Sequence, residues 1–335
     1  MSFLLRHLLE STVFCALLSV VACCLRRGAT ARHAVLLMGV AKFAIPTVWL
    51  AKTGGEIAFL WPAASWISIA ASKISMALAT FLNIVPAEWE MSVMAGWACG
   101  AAAMLLIWCI RLWRGAATLM MPTGLEEAAW QRVSVPKGVC LRGTEQSVEP
   151  SVRGVWKQTI TVPHGLAKEL TEAEFDSVLS HELSHARRFD NLTAAFVHAL
   201  VCLFWFHPLL WWLERRLKTE RERACDEAVV ASGTEPKIYA AAILKVCKFH
   251  LFEAAPGVSA MSGVDLKKRI DLILGDTPRA RLLYVPWVLV ASLTVFMTLV
   301  PIAGGYCEQC GSNGLQDSGT VVHCGTAATC SQRNQ

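Results

Sequence analysis

The stretch TEAEFDSVLSHELSHARRFDN (171–191) predicts a capped amphipathic helix that carries two histidines. Thr171 followed by Glu174 is the pattern of a capping box, in which the two side chains satisfy free backbone N–H groups of the first turn. Apolar residues then recur with the period of a helix that is buried on one face: Phe175, Val178, Leu179 and Leu183. The His-Glu-x-x-His sequence that follows is therefore predicted to lie on a helix.

This His-Glu-x-x-His sequence at residues 181–185 is predicted to bind zinc. On a helix, His181 and His185 are one turn apart on the same face, so both imidazoles can bind one metal ion at about 2.0–2.1 Å. Zinc lowers the pKa of a bound water to about 7, and Glu182 is placed to take the proton of that water as general base. A catalytic zinc has three protein ligands and one open position, so one further ligand is expected.

The third ligand is expected on a helix that begins at Pro208 and stops at Gly233, since Pro favours the first turn of a helix and Gly its end. Four glutamates on this helix offer oxygen donors: Glu214, Glu220, Glu222 and Glu227. Glu222 shares its helical stripe with the apolar Val229. Glu214 and Glu220 lie among arginines and a lysine, so they are predicted to face solvent.

Two aspartates are predicted to support the histidines. Asp226, one turn after Glu222, can accept a hydrogen bond from a ligand imidazole and fix its tautomer. Asp190 has two interpretations. It either accepts a hydrogen bond from a ligand imidazole, as Asp226 does, or forms an ion pair with the arginines at 187–188. Tyr239 also has two, a donor to the scissile carbonyl or a core tyrosine, and the core interpretation is favoured.

The composition around this helix is typical of an integral membrane protein. Hydrophobic residues make up 54% of the chain and charged residues 17%, and the mean hydropathy is +0.44. Roughly 20 apolar residues cross the hydrocarbon layer of a bilayer. Four stretches meet this length, at about 8–25, 34–52, 91–112 and 283–303. The apolar run at 192–206 is shorter and predicts a buried or membrane-embedded helix.

These stretches divide the chain into four parts. Residues 1–114 form a membrane region with three transmembrane helices, and residues 115–282 form a polar α+β domain. The fourth transmembrane helix (283–303) and a short tail (304–335) follow. The fold class is thus a mainly α integral membrane protein with a globular domain between the third and fourth helices. Within that domain, GVWKQTITVP (154–163) predicts a strand whose edge receives an extended substrate peptide.

Basic residues predict the orientation in the membrane, because Lys and Arg favour short cytoplasmic flanks. They follow the first and third helices and precede the fourth, at 26–32, 111–114 and 267–281. The domain at 115–282 is therefore predicted to be cytoplasmic, and the 53–90 loop and the tail external. The net charge of +5 follows from this topology, and no direct nucleic-acid contact is expected.

Four cysteines lie in the predicted external tail: Cys307, Cys310, Cys324 and Cys330. An oxidising compartment favours two disulfides, whose pairing stays open. Zinc binding by the same cysteines is the weaker alternative.

Three motifs resemble those of the BlaR/MecR-type membrane metallopeptidases, the family of the β-lactam sensor-transducers: HELSHARRFDN (181–191), FHP (206–208) and ERACDEAVV (222–230). The similarity extends to KFAIP (42–46), RGVWKQTITVP (153–163) and LKKRIDLIL (266–274), and it covers about residues 30–300.

The resemblance implies a gluzincin with His181, His185 and Glu222 as zinc ligands, Glu182 as general base and Asp226 as support. Members of this family cleave themselves and a cytosolic transcriptional repressor when an outer domain senses an antibiotic. One departure concerns the penicillin-binding sensor domain, which follows the fourth transmembrane helix in the family. Residues 304–335 follow that helix here, so the sensor domain is expected to be lacking.

The leading hypothesis is a zinc metalloendopeptidase of the bacterial inner membrane that cleaves a cytosolic repressor and itself. A membrane-protein quality-control protease is one alternative. A non-enzymatic membrane receptor, in which Glu182 is dispensable, is another. The expected partners are a cytosolic protein substrate such as a helix-turn-helix repressor, membrane lipid, and a second copy of the chain in a homodimer.

Overall fold

The structure is a computed structural model that describes residues 2–25, 28–45, 87–114, 124–132, 135–144, 149–253 and 263–275. The predicted fourth transmembrane helix, the four tail cysteines and nearly all of the predicted external loop lie outside these residues. Two compact units divide the chain, and the larger comprises Leu8–Ala44 and Pro86–Val290. Of the smaller unit, the structure describes residues 2–7 and 45.

The described part is mainly helical, with one small sheet. In chain order its helices are α1 (Ser2–Cys24), α2 (Ala29–Ala41), α3 (Ala87–Arg114), α4 (Gly124–Arg132), α5 (His164–Glu169), α6 (Glu172–Arg187), α7 (Asp190–Leu203), α8 (Pro208–Ala231), α9 (Pro236–Glu253) and α10 (Gly263–Leu274). Its strands are β1 (Val139–Thr144), β2 (Ser151–Arg153) and β3 (Gln158–Pro163).

Two of these helices are long and apolar enough to cross a membrane, judged by length and composition. In α1 the apolar segment is His7–Cys24, with a mean hydropathy of 1.8. In α3 it is Glu88–Trp113, with a mean hydropathy of 2.0. Only 6% of the α3 segment is buried within the protein. An apolar helix with so little protein cover is what a lipid environment accommodates. The first and third predicted membrane helices are therefore present as helices.

The second predicted membrane helix differs from its expected bounds of 34–52. Helix α2 begins at Ala29, and a 3-10 turn at Lys42–Ala44 replaces the α-helix after Ala41. Pro46 accounts for the early end, because a proline disfavours helical conformation in the residue before it. Residues 46–52 lie outside the described part.

The sheet has the order β1-β3-β2, with β1 parallel and β2 antiparallel to β3. The predicted strand at 154–163 is shorter than expected, because residues 154–157 form the turn from β2 into β3. Gly154 makes that turn with a φ of +85°, and a Cβ there would collide with the carbonyl of Lys157. Since β3 is the central strand, the prediction that it presents an open edge to substrate is wrong.

Helix α6 packs its apolar side against this sheet, as its sequence pattern predicts. Buried side chains from both elements form one core: Leu141, Ile160, Val162, Phe175, Val178, Leu179 and Leu183. The capping box is confirmed, since Thr171 Oγ1 accepts from the Glu174 amide at 3.3 Å and Glu174 Oε2 accepts from the Thr171 amide at 2.8 Å. The sheet and the cap together fix the helix that carries the two histidines.

Helix α8 begins at Pro208 and ends before Gly233, as predicted. Gly233 has a φ of +98°, the left-handed conformation that terminates many helices. Helix α8 packs against α2, α6, α7 and α10. Residues of α8 therefore meet the histidine face of α6.

Candidate metal centre

Helices α6 and α8 bring two imidazoles and one carboxylate together. The Nε2 atoms of His181 and His185 are 3.1 Å apart. Glu222 Oε2 lies 3.6 Å from His181 Nε2 and 3.7 Å from His185 Nε2. Ligands bonded to one tetrahedral zinc ion at about 2.0–2.1 Å are separated by about 3.3 Å. The spacing of these three donor atoms therefore fits one zinc ion.

The hydrogen bonds of His181 fix which ring nitrogen is free. The Tyr239 hydroxyl donates to Asp226 Oδ1 at 2.5 Å, so its oxygen can only accept from His181 Nδ1, which is 2.8 Å away. The proton of a neutral His181 ring is therefore on Nδ1, and the lone pair of Nε2 is available to a metal. Asp226 also lies 3.3 Å from His181 Nδ1. The structure thus places Asp226 where the sequence predicted it.

The second histidine has an equivalent arrangement. His185 Nδ1 lies 2.8 Å from Asp190 Oδ2, and a carboxylate only accepts, so Nδ1 carries the proton and Nε2 faces Glu222. Asp190 Oδ1 also accepts from Arg188 Nε at 3.2 Å. Both interpretations of Asp190 are therefore realised at once. The thiol of Cys225 is buried 3.4 Å from His185 Nδ1, a contact that the sequence did not predict.

A left-handed residue places Asp190 under this histidine. Phe189 has a φ of +52° and directly precedes α7. This conformation is unfavourable for a residue with a side chain, by about 1–2 kcal/mol. It reverses the chain after α6, so that the first residue of α7 reaches back to His185. Such strain is found where a functional contact depends on it.

Arg269 of α10 is part of the centre and was missed in the sequence. Its Nε and Nη2 donate to the two carboxylate oxygens of Asp226, each at 2.7 Å. Nη2 also lies 3.3 Å from His181 Nε2. A signal was present, because Arg269 interrupts an apolar stripe whose other members pack in the core: Leu266, Ile270 and Ile273. A charge in such a stripe indicates a buried partner.

Glu182 is 93% buried beside these groups, with 7% of its surface exposed. Burial raises the pKa of Glu182, and the charges of His181 and His185 oppose that rise. For Glu222, burial also favours the protonated form, but contacts with the two histidines outweigh it and hold the pKa well below the usual range. Glu222 is thus a carboxylate, whereas Glu182 has the higher proton affinity that suits a general base.

The other glutamates of α8 have partners elsewhere. Glu214 Oε1 lies 2.6 Å from His198 Nδ1. Glu227 accepts from the Ala29 amide at 3.0 and 3.1 Å and so caps α2. Glu220 is fully buried, with its carboxylate bound to arginines. The prediction that Glu220 faces solvent is wrong, because α2 covers this side of α8.

Tyr239 is a core residue, as favoured from the sequence. It is 1% exposed, and its hydroxyl lies at Nδ1, on the side of His181 away from the other donor atoms. Its role in this structure is to connect His181 with Asp226. Donation to a substrate carbonyl is not supported by this position.

Comparison with known proteins shows similarity to a family of peptidases. A family model described as BlaR1 peptidase M56 matches residues 2–273. The regulatory protein BlaR1 of Bacillus licheniformis is 38% identical over 81 residues, which cover 24% of this chain and 13% of that protein. The methicillin resistance mecR1 proteins of Staphylococcus aureus and Staphylococcus epidermidis are 28% identical over 81 residues, or 24% of this chain and 14% of each protein. The matched region is thus a small part of these relatives.

Proposed function

The chain belongs to the BlaR1 peptidase M56 family, and from this premise we propose that it is an integral membrane zinc endopeptidase. The single observation that supports the proposal most is the donor cluster. The Nε2 atoms of two imidazoles and the carboxylate oxygen of Glu222 lie within 3.1–3.7 Å of one another. This is the two-histidine, one-glutamate ligand set of zinc peptidases.

Each residue of the centre has a separate role in the proposed reaction. When bound, zinc acidifies a water molecule and polarises the scissile carbonyl. Glu182 accepts the proton from the attacking water and passes it to the leaving amine. Asp190 holds His185, and Tyr239 with Asp226 holds His181, each through the Nδ1 proton. Arg269 keeps Asp226 charged and fixed by its two hydrogen bonds.

We propose that the substrate is a cytosolic transcriptional repressor, with self-cleavage as a second reaction. The family membership and the likeness to proteins named as regulatory and resistance proteins support this choice. The centre is also on the side of the chain predicted to be cytoplasmic, in the domain predicted at 115–282. The expected location is the bacterial inner membrane, with several membrane passages.

The proposal is tested by comparing cytosolic protein fragments from cells that express the wild type or Glu182→Gln. New protein termini that appear with the wild type and disappear with the variant identify the substrate. A helix-turn-helix repressor among them supports a signalling role, whereas membrane-protein fragments support quality control. Identical fragment sets in both strains would support a non-enzymatic receptor instead.

Zinc content is expected to follow Glu222 and not its neighbours on α8. Glu222→Ala should weaken zinc binding more than about 100-fold, because the loss of a supporting hydrogen bond alone costs roughly 10–100-fold. Glu214→Ala is the matched control, since Glu214 contacts His198 and not the donor cluster. Metal analysis of the purified proteins gives the readout. Equal zinc in Glu222→Ala and the wild type would remove Glu222 from the ligand set.

Membrane orientation is a separate prediction. A reporter that is active only in the cytoplasm should work when fused after Arg114 or Gly275 and fail when fused after Gly304. The reason is the excess of basic residues next to the first two fusion points. The reverse pattern would place the candidate centre outside the cell, where a cytosolic repressor cannot reach it.

A further inference from the structure

A second candidate site lies beside the metal centre, one to two turns before Glu222 on α8. It is a half-open cavity of about 240 Å³ between α2, α7 and α8. Its basic lining consists of Arg215, Lys218 and Arg221, and its apolar lining includes Leu37 and Val197. None of these residues belongs to the donor cluster. The cavity therefore borders the metal centre, since Arg221 contacts Glu222, but it contributes no donor atom to that centre.

The charges in this cavity are poorly matched within the described part of the chain. Arg215 and Lys218 have no carboxylate of the described residues within ion-pair distance. Arg221 Nη2 donates to Glu222 at 3.3 Å, but its Nε is buried without a hydrogen-bond partner among described groups. Glu214 also lines the cavity, but its carboxylate is engaged by His198 at 2.6 Å. An unpaired buried N–H is unfavourable, so the cavity is suited to an anionic acceptor.

The surroundings of the cavity indicate that this anion belongs to a lipid. Large aromatic side chains are exposed in the turn that joins α7 to α8 and in the second turn of α8: Trp205 39%, Phe206 43% and Trp212 46%. Exposed tryptophans mark the boundary between the hydrocarbon layer and the headgroups. Lys218 follows Trp212 by six residues, or about 9 Å along the helix. For α8 oriented along the membrane normal, Lys218 is at headgroup level when Trp212 is at the boundary.

We propose that this cavity binds the phosphate headgroup of an anionic membrane lipid, with Arg215, Lys218 and Arg221 as its cationic ligands. The phosphate oxygens accept hydrogen bonds from the guanidinium groups and the ammonium group. The apolar wall formed by Leu37 and Val197 contacts the adjoining glycerol and acyl carbons. A free phosphate ion shares the anionic chemistry but gains nothing from that wall.

The test measures lipid retention by the purified full chain. The protein is incorporated into vesicles of phosphatidylglycerol and phosphatidylcholine, extracted, and examined by native mass spectrometry for bound lipid. The wild type is expected to retain phosphatidylglycerol. Arg215→Gln with Lys218→Gln should lower that retention on the order of 30-fold, since each basic residue at a membrane surface contributes roughly five- to sixfold. Lys218→Gln alone should give an intermediate loss.

The control removes two positive charges elsewhere. Lys168 and Lys237 are exposed on the globular domain and do not line the cavity, so Lys168→Gln with Lys237→Gln should retain lipid as the wild type does. All four substituted side chains are exposed, so the variants are expected to fold.

Unchanged retention in the Arg215/Lys218 variant, or an equal loss in the control, would overturn the inference. Displacement of the lipid by millimolar inorganic phosphate would show a site for the free ion instead. The readout is independent of cleavage, so it stands or fails separately from the peptidase proposal.

Discussion

Replacement of Glu182 by Gln is expected to reduce peptide cleavage between about 10²- and 10⁴-fold, the range that a positioned general base contributes. Bound zinc should be unchanged, because the donor cluster consists of His181, His185 and Glu222. Gln has the same shape but cannot take a proton from water. The expected result is therefore a folded, metal-loaded and inactive protein.

Stability separates this interpretation from a folding defect. Burial raises the pKa of Glu182, so the charged carboxylate is unfavourable in the folded state and a neutral amide removes that cost. The thermal midpoint of Glu182→Gln should equal or exceed that of the wild type. Glu169→Gln, at an exposed position of α5, is the matched control and should keep full activity. Cleavage by Glu182→Gln at the wild-type rate would show that another group acts as base.

The part of the site that the sequence predicted depends on local helical geometry. The capping box fixes where α6 begins, and the four-residue spacing of His181 and His185 then sets their shared face. Asp226 follows Glu222 by one turn for the same reason. Contacts of this kind depend on the spacing of residues within one helix, or on the need of a ligand imidazole for a carboxylate that accepts its Nδ1 proton.

The contacts that were missed join helices far apart in the chain. Arg269 reaches Asp226 from α10, and Arg32 reaches Glu220 from α2. In both cases the partner of a charged residue is more than 40 positions away, so the local sequence of α8 shows only a mixed charge pattern. The order of the sheet was missed for a related reason, since β1 and β2 pair with the two edges of β3. Sequence periodicity shows that a strand is buried but not which strands flank it.

Glu220 is the residue for which the difference between the predicted exposure and the observed burial has the largest expected effect on stability. Its carboxylate is fully buried and contacts three arginines, at 2.7 Å for Arg32 Nε, 2.9 Å for Arg216 Nη2 and 3.2 Å for Arg223 Nη1. Glu220→Ala leaves these guanidinium groups without their shared anion. Removing one partner of a buried ion pair costs roughly 3–5 kcal/mol. If Glu220 faced solvent, as predicted from the sequence, Glu220→Ala would change the free energy of unfolding by close to zero.

Thermal unfolding in detergent is therefore expected to shift strongly for Glu220→Ala and only slightly for Glu214→Ala, whose partly exposed pair with His198 contributes about 1 kcal/mol or less. A second substitution tests the cause. Because Arg32 is the α2 partner of Glu220 and is 13% exposed, Arg32→Ala should destabilise the wild type clearly but add little to Glu220→Ala. Additive effects of the two substitutions would mean that Arg32 and Glu220 stabilise the protein independently, and the contact between α2 and α8 would then depend on apolar packing alone.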